Sequence, residues 1–268
     1  MTELRHRDPL LFWTGAAMML AFIVCVLLSI GDQRLILGVN PWLKPMKFLT
    51  SITIFLWTVA WFMPETQGGG ASGFSRIVRW TIASAMVIEM ICILTQSVRG
   101  TTSHFNNDSP FDAILFSVMG MAILINTLAM ILFLWIVRRD TPSSRAGYIW
   151  GIRLGVAIFL LASFEGALIV SNNAHTVGAP DGGAGLPFVN WSTTHGDLRI
   201  AHFFGMHAMQ ALPLLGFLLD RSLPRRSANG ANAGTPARNV IFTVSFLWLV
   251  VMGGLLLTAL QGRPLLAL

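Results

Sequence analysis

Two histidines five residues apart, His202 and His207, lie in a largely apolar stretch with Met206 between them and Arg199 just upstream. Two carboxylates, Glu89 and Glu165, are each embedded in an apolar run of their own. Such residues bind metal or move protons. Neutral imidazole offers a nitrogen lone pair to iron, manganese or zinc, and carboxylate completes such a shell. Imidazole against apolar and aromatic walls also serves as an axial ligand to haem, with a second His or a Met opposite and cations for the propionates. An ionisable group in hydrocarbon costs at least ~2.5–3.5 kcal/mol, the figure for Asp at mid-span, so it usually faces inward and has a partner.

Helical spacing sorts these groups. Residues seven apart differ by about 20°, so His195, His202 and Met209 share a stripe if the helix begins that early, with Arg199 and Met206 beside it. His207 points about 140° from His202. A π-bulge near Gly205 would bring both histidines to one face, and Pro213 removes a backbone bond and can distort the turn. Glu89 shares a stripe with Cys92 and Gln96 that leads toward Arg99, and Glu165 shares one with Asn172. Counting inward at 1.5 Å per residue, Glu89 and His207 lie about 15 Å below the outer helix ends, and Glu165 and His202 roughly 8–11 Å. The expectation is one outer-half cavity shared by the four. The plainer alternative is two separate helix–helix hydrogen bonds.

Lys44 and Lys47 open the second apolar run, behind Asn40 as a cap and Pro41 or Pro45 in the first turn. Two cations there oppose the helix dipole. Either an anion sits between them and the N–H groups, or both snorkel to lipid phosphates with Trp42 as an interfacial anchor. In residues 100–110, Ser109 and Asp112 fit a capping box with Pro110 at the first helical position. That leaves His104 and Asn106 to close over the pocket. The candidate assignments are therefore Glu89, Glu165 and His104 for acid–base work, and His202 and His207 as metal ligands. Arg99, Arg199, Lys44, Lys47 and Met206 would hold a cofactor, either haem b or an Fe, Mn or Zn ion.

The elements that must position these residues are seven apolar stretches, at 9–30, 45–63, 77–98, 111–137, 149–170, 200–219 and 240–260. Each approaches or exceeds the ~20 residues that carry a helix across ~30 Å of hydrocarbon. Composition agrees, at 54% hydrophobic and 11% charged, against about 25% charged in a soluble domain. The expected fold is an all-α integral membrane protein, a seven-transmembrane-helix bundle forming one polytopic domain over 1–268.

Basic residues set the expected orientation. One set of ends carries Arg5, Arg7, Arg76, Arg79, Arg138, Arg139, Arg145, Arg153, Arg221, Arg225, Arg226 and Arg238; the other carries Arg34, Lys44, Lys47, Arg99, Arg199 and Arg263. That 12-to-6 split, which accounts for all 18 basic residues, favours a cytoplasmic N-terminus and an outer C-terminus in a plasma (inner) membrane. The same bias explains the net charge of +6 without a nucleic-acid partner. Cys25 and Cys92 fall inside apolar runs and suit neither a disulfide framework nor a C-x-x-C zinc site. The first run is too long for a signal peptide and lacks a small-x-small exit. It reads as a retained helix with Asp8 as N-cap and Pro9 at its first position. Gly-rich residues 67–73 and residues 227–237 read as flexible tethers.

No H-E-x-x-H, G-x-S-x-G or P-loop is present, nor an internal repeat of the inverted-transporter kind. The leading expectation is a multi-pass membrane protein with an outward-facing His/Glu/Arg-lined pocket for haem or a transition metal, redox or hydrolytic in role. The alternative is a proton-coupled transporter or channel, with Glu89 and Glu165 as proton or cation sites and the outer cations gathering an anionic small molecule. Asn126 is the main polar residue of the cytoplasmic half, so no continuous path is visible in the sequence. A third option is a scaffold whose polar groups only join helices. The bilayer itself is the one partner expected in every case.

Overall fold

Polar residues at the borders of the apolar runs decide where several of the helices begin. The computed structural model describes residues 1–138, 145–223 and 235–266, and it is 73% helical with almost no sheet. A short helix α1 (Thr2–Arg7) precedes α2 (Pro9–Gly31), α3 (Leu43–Phe62) with a one-turn 3-10 extension, α4 (Gly73–Arg99) and α5 (Pro110–Ile136). Helix α6 (Ala146–Ser171) is followed by two-residue strands β1 (Thr176–Val177) and β2 (Gly196–Asp197), then α7 (Leu198–Met206), α8 (Ala208–Ser222) and α9 (Thr235–Leu260). Counting α7 and α8 as one span, seven helices among the described residues are long and apolar enough to cross a membrane, which makes the chain a multi-pass membrane-type protein.

The caps explain why helices outrun the hydropathy limits. Asp8 accepts the Leu11 N–H at 3.0 Å with Pro9 at the first position, as the sequence suggested. Ser72 accepts the Ser75 N–H at 3.1 Å, so α4 starts four residues before its apolar run. Asp220 accepts the Gly147 and Tyr148 N–H groups at 3.0 and 2.8 Å, which starts α6 early. Arg139, Arg225 and Arg226 of the charge split, and the tether residues 227–234, lie outside the described residues.

By packing, the chain forms two compact units, Met1–Phe133 with Asp181–Asn190, and Leu134–Pro180 with Trp191–Leu268. In the first, α2 lies against α3: Phe12 and Trp57 stack at 6.2 Å, and the Trp57 indole donates to the Phe12 carbonyl at 3.2 Å. In the second, Gly147, Gly151 and Gly155 form a stripe on α6 facing α8. A Cβ at Gly151 would lie 2.6 Å from the Leu212 carbonyl oxygen, and one at Gly155 2.7 Å from that of Ala208. The two backbones touch, which only small residues permit. Ile158, Ala162, Ala208, Leu212 and Met252 form the core beside this seam, with Met206, Phe204 and Trp248 packed on it. Large apolar side chains such as Leu20, Ile30, Ile91 and Phe246 cover the outside, as a lipid-facing surface requires.

Candidate functional site

In the first unit the loop 100–109 folds back into the helices that flank it. Its feet are fixed by Asp112, which takes hydrogen bonds from Arg99, Ser109 and, at 2.7 Å, the Gln96 amide. Arg99 also donates to the Gln96 carbonyl oxygen at 2.5 Å. The Asp112 N–H meets the Ser109 hydroxyl at 3.2 Å, so the expected cap is present and a guanidinium is added to it. Asn106 ties the loop internally, donating to Thr101 Oγ1 at 2.9 Å and the Thr102 carbonyl at 3.0 Å. Asn106 and Ser103 are both buried. Phe105 holds φ 57°, a left-handed conformation costing a non-glycine about 1–2 kcal/mol, and its ring packs edge-on to Phe116 at 5.5 Å.

The loop delivers His104 to Glu89. Glu89 is buried ten residues before Arg99, about 15 Å along the helix. His104 Nε2 stands 3.8 Å from Glu89 Oε1, and its Nδ1 is 3.2 Å from the Lys44 ammonium and 3.0 Å from the Ser103 hydroxyl. Phe48, Phe105 and Phe116 surround the ring at centroid distances of 5.7, 6.2 and 6.1 Å. An ammonium has donors only, so Nδ1 must accept from Lys44, and the proton of neutral His104 sits on Nε2 facing the carboxylate. Glu89 Oε2 has no hydrogen-bond partner among the described residues. The arrangement is cation, imidazole and carboxyl in series, with the first pair in contact at 3.2 Å and the second 3.8 Å apart.

Lys47 donates to the Val189 carbonyl at 3.3 Å, so this lysine is directed into the protein. At the start of α3, Asn40 takes the Trp42 N–H on its side chain at 3.0 Å and the Leu43 N–H on its carbonyl at 3.1 Å, while Pro45 has none. The first turn therefore offers an anion little beyond the Lys44 N–H. Outside the span, Asp32 accepts from Arg34 Nε at 2.9 Å and from the Trp42 indole at 2.9 Å. The Arg34 hydrogen bonds hold the Asp32 carboxyl well below the usual carboxylate range.

In the second unit the sixth span begins at Leu198, so His195 precedes the helix and the His195–His202–Met209 stripe does not form. Instead His195 Nδ1 is 3.0 Å from the Thr194 hydroxyl. Asp197 caps α7 and binds Arg199 through Nε at 2.9 Å and a terminal nitrogen at 2.5 Å, which commits that guanidinium to the helix start. The span breaks at His207, whose carbonyl accepts both the Gln210 and Ala211 N–H groups at 3.1 Å. This is a tightened turn, not a π-bulge of the kind that would have brought both histidines to one face. Gly205 instead fits between Ala162 and Met252, where a Cβ would come within 2.7 Å of each.

His202 points at α6. Its Nδ1 is 2.8 Å from the Ala162 carbonyl, so Nδ1 carries the proton and Nε2 keeps a lone pair. Gly166 makes room for the ring, since a Cβ there would be 3.2 Å from Cε1. His207 lies against Phe203 at 4.3 Å, and Met206 packs on the apolar core. Glu165 is buried on the same helix as Ala162, and neither carboxyl oxygen has a hydrogen-bond partner among the described residues. No group of three or more His, Cys, Asp or Glu side chains able to hold a metal comes together among the described residues.

Sequence reasoning missed the Lys44–His104 and Lys47–Val189 contacts, which join residues 60 and 142 positions apart and leave no local signal. It also missed two pairings it had the means to find, Asp32 with Arg34 and Asp197 with Arg199. Both stand as Gly-Asp-x-Arg. No family model matches the chain, and no curated protein or solved structure matches it.

Proposed function

We propose that this chain is a proton-coupled membrane transporter whose proton site is Glu89, reached through His104 and Lys44. One observation carries the reading: a loop imidazole lies between an ammonium and a carboxyl buried mid-helix, at 3.2 and 3.8 Å. Buried ionisable groups of this kind mark ion and proton pathways in membrane proteins. Lys44 and Lys47 supply the positive charge that draws an anionic small molecule to the same end. The charge split supports placing that end outside a plasma membrane. In that orientation an impermeant thiol reagent labels Gly183→Cys in intact cells and spares Gln67→Cys; the reverse pattern contradicts it.

Reconstitution tests the transport itself. Vesicles holding a pH dye receive an acid pulse with phosphate, sulfate or short carboxylates outside. Wild-type protein should speed proton entry with at least one anion, and Glu89→Gln should lose about a hundredfold or more of that rate, the low end of what a general acid–base group contributes. No proton movement by the wild type with any of them would overturn the reading.

A separate observation favours a second reading. The His202 ring donates through Nδ1 to a carbonyl and keeps Nε2 for a ligand, the orientation typical of metal-bound imidazole. His202 would be an axial ligand to haem b or a ligand to an Fe, Mn or Zn ion. Purified protein would then carry a Soret band or bound metal that His202→Ala loses and His6→Ala does not. Purified wild-type protein with neither would rule this reading out.

A further inference from the structure

The loop 100–109 is built unlike a simple connection. Its two feet are locked by Asp112, Arg99, Ser109 and Gln96, while its tip inserts His104 among three helices of the same unit. Lys44 from α3 and Glu89 from α4 both bring charge to the ring. Helix α5 presents Phe116, and the loop itself presents Ser103 and Phe105. The ring is thus poised between a cation in contact and a carboxylate just beyond contact.

We propose that this loop is a pH-responsive plug over Glu89: on taking a second proton, His104 releases Lys44 and closes onto the carboxylate. The incoming proton lands on Nδ1, the nitrogen that accepts from Lys44 in the neutral state. Imidazolium has donors at both nitrogens and ammonium has no acceptor, so the 3.2 Å contact becomes donor against donor and like charge against like charge. On the other side Nε2–H already faces Glu89 Oε1 at 3.8 Å. A shift of about 1 Å makes a charge-assisted hydrogen bond of ~2.7–2.9 Å. Because the feet are pinned, the movement falls to the tip, where Phe105 is held in a left-handed conformation. Acid on the loop side therefore draws the protonated ring onto Glu89 and breaks its contact with Lys44.

This inference rests on Glu89 being the proton site, and its test separates the two. The native cysteines are buried, so a nitroxide reagent takes an introduced Asn107→Cys at the exposed tip. In bilayers, label mobility should fall several-fold between about pH 8 and pH 5, the range in which histidine changes charge. The response should vanish in His104→Gln. Nitrogen NMR of histidine-labelled wild-type protein gives a second readout that needs no variant. His104 should hold its proton on Nε2 at the higher pH and on both nitrogens at the lower. A proton on Nδ1 alone at the higher pH, no mobility change, or a change that persists in His104→Gln would each overturn the plug. Proton flux without the mobility change removes the plug and spares the transporter. The mobility change without flux does the opposite.

Discussion

Glu89 and Glu165 are both carboxyls in the interior of membrane-spanning helices, yet the protein surrounds them differently. Glu89 is met by an imidazole, and that imidazole by an ammonium 3.2 Å away. Glu165 has two oxygens without a hydrogen-bond partner among the described residues, on the helix whose Ala162 carbonyl orients His202. One carboxyl therefore faces an imidazole that is itself in contact with a cation. The other is buried with neither oxygen hydrogen-bonded among the described residues, so a donor would be needed to satisfy it. The difference teaches that a buried acid indicates function through what faces it, not through its rarity in hydrocarbon.

The largest expected effect comes from removing the frame under one side of that comparison. Gly151→Leu forces a side chain against the α8 backbone and should destabilise the second unit by about 3 kcal/mol or more. Gly253→Leu on α9, where a Cβ meets nothing within 4 Å, should be close to neutral. Equal melting temperatures for the two variants in detergent would contradict the glycine seam.

Next come the carboxyls themselves. Glu89→Gln removes the carboxylate that faces His104 at 3.8 Å. Breaking a fully buried pair costs about 3–5 kcal/mol, reduced to roughly 1–2 here because Lys44 and His104 are part-exposed. Glu165→Gln removes no ion pair and should cost nothing or stabilise slightly. If the two substitutions shift thermal stability equally, the contrast is gone. The smallest effect belongs to Asp32, whose depressed carboxyl range has a definite sign. Its contribution is present above the ordinary carboxylate value of about 4 and is lost as pH falls toward the folded-state value. Asp32→Asn should thus melt slightly lower at neutral pH and converge with wild type in acid; a gap that widens in acid would contradict this.

Much of the frame was legible because hydrocarbon thickness leaves a length signal and caps leave a local one. The seven spans, Asp8 before Pro9, and Ser109 with Asp112 all rest on residues close in sequence. Helix ends were less legible, since Asp220 starts α6 from more than 70 residues away. The glycine stripe at 147, 151 and 155 was readable as a spacing of four, but hydropathy scores glycine as neutral and passes over it. Counting cations by side treated Arg99 and Arg199 as available to a cofactor, whereas each is held by an aspartate. The meeting of His104 with Glu89 and Lys44 depends on a loop folding inward, and no periodicity encodes that.

The central claim is that the His104-linked carboxyl handles protons. The most direct measurement compares proton entry into vesicles carrying wild type, Glu89→Gln or Glu165→Gln, at matched protein density and with the anion that supports flux. Loss of nearly all entry in Glu89→Gln, with the larger share kept in Glu165→Gln, is the expected result. Wild-type rates in Glu89→Gln would contradict it.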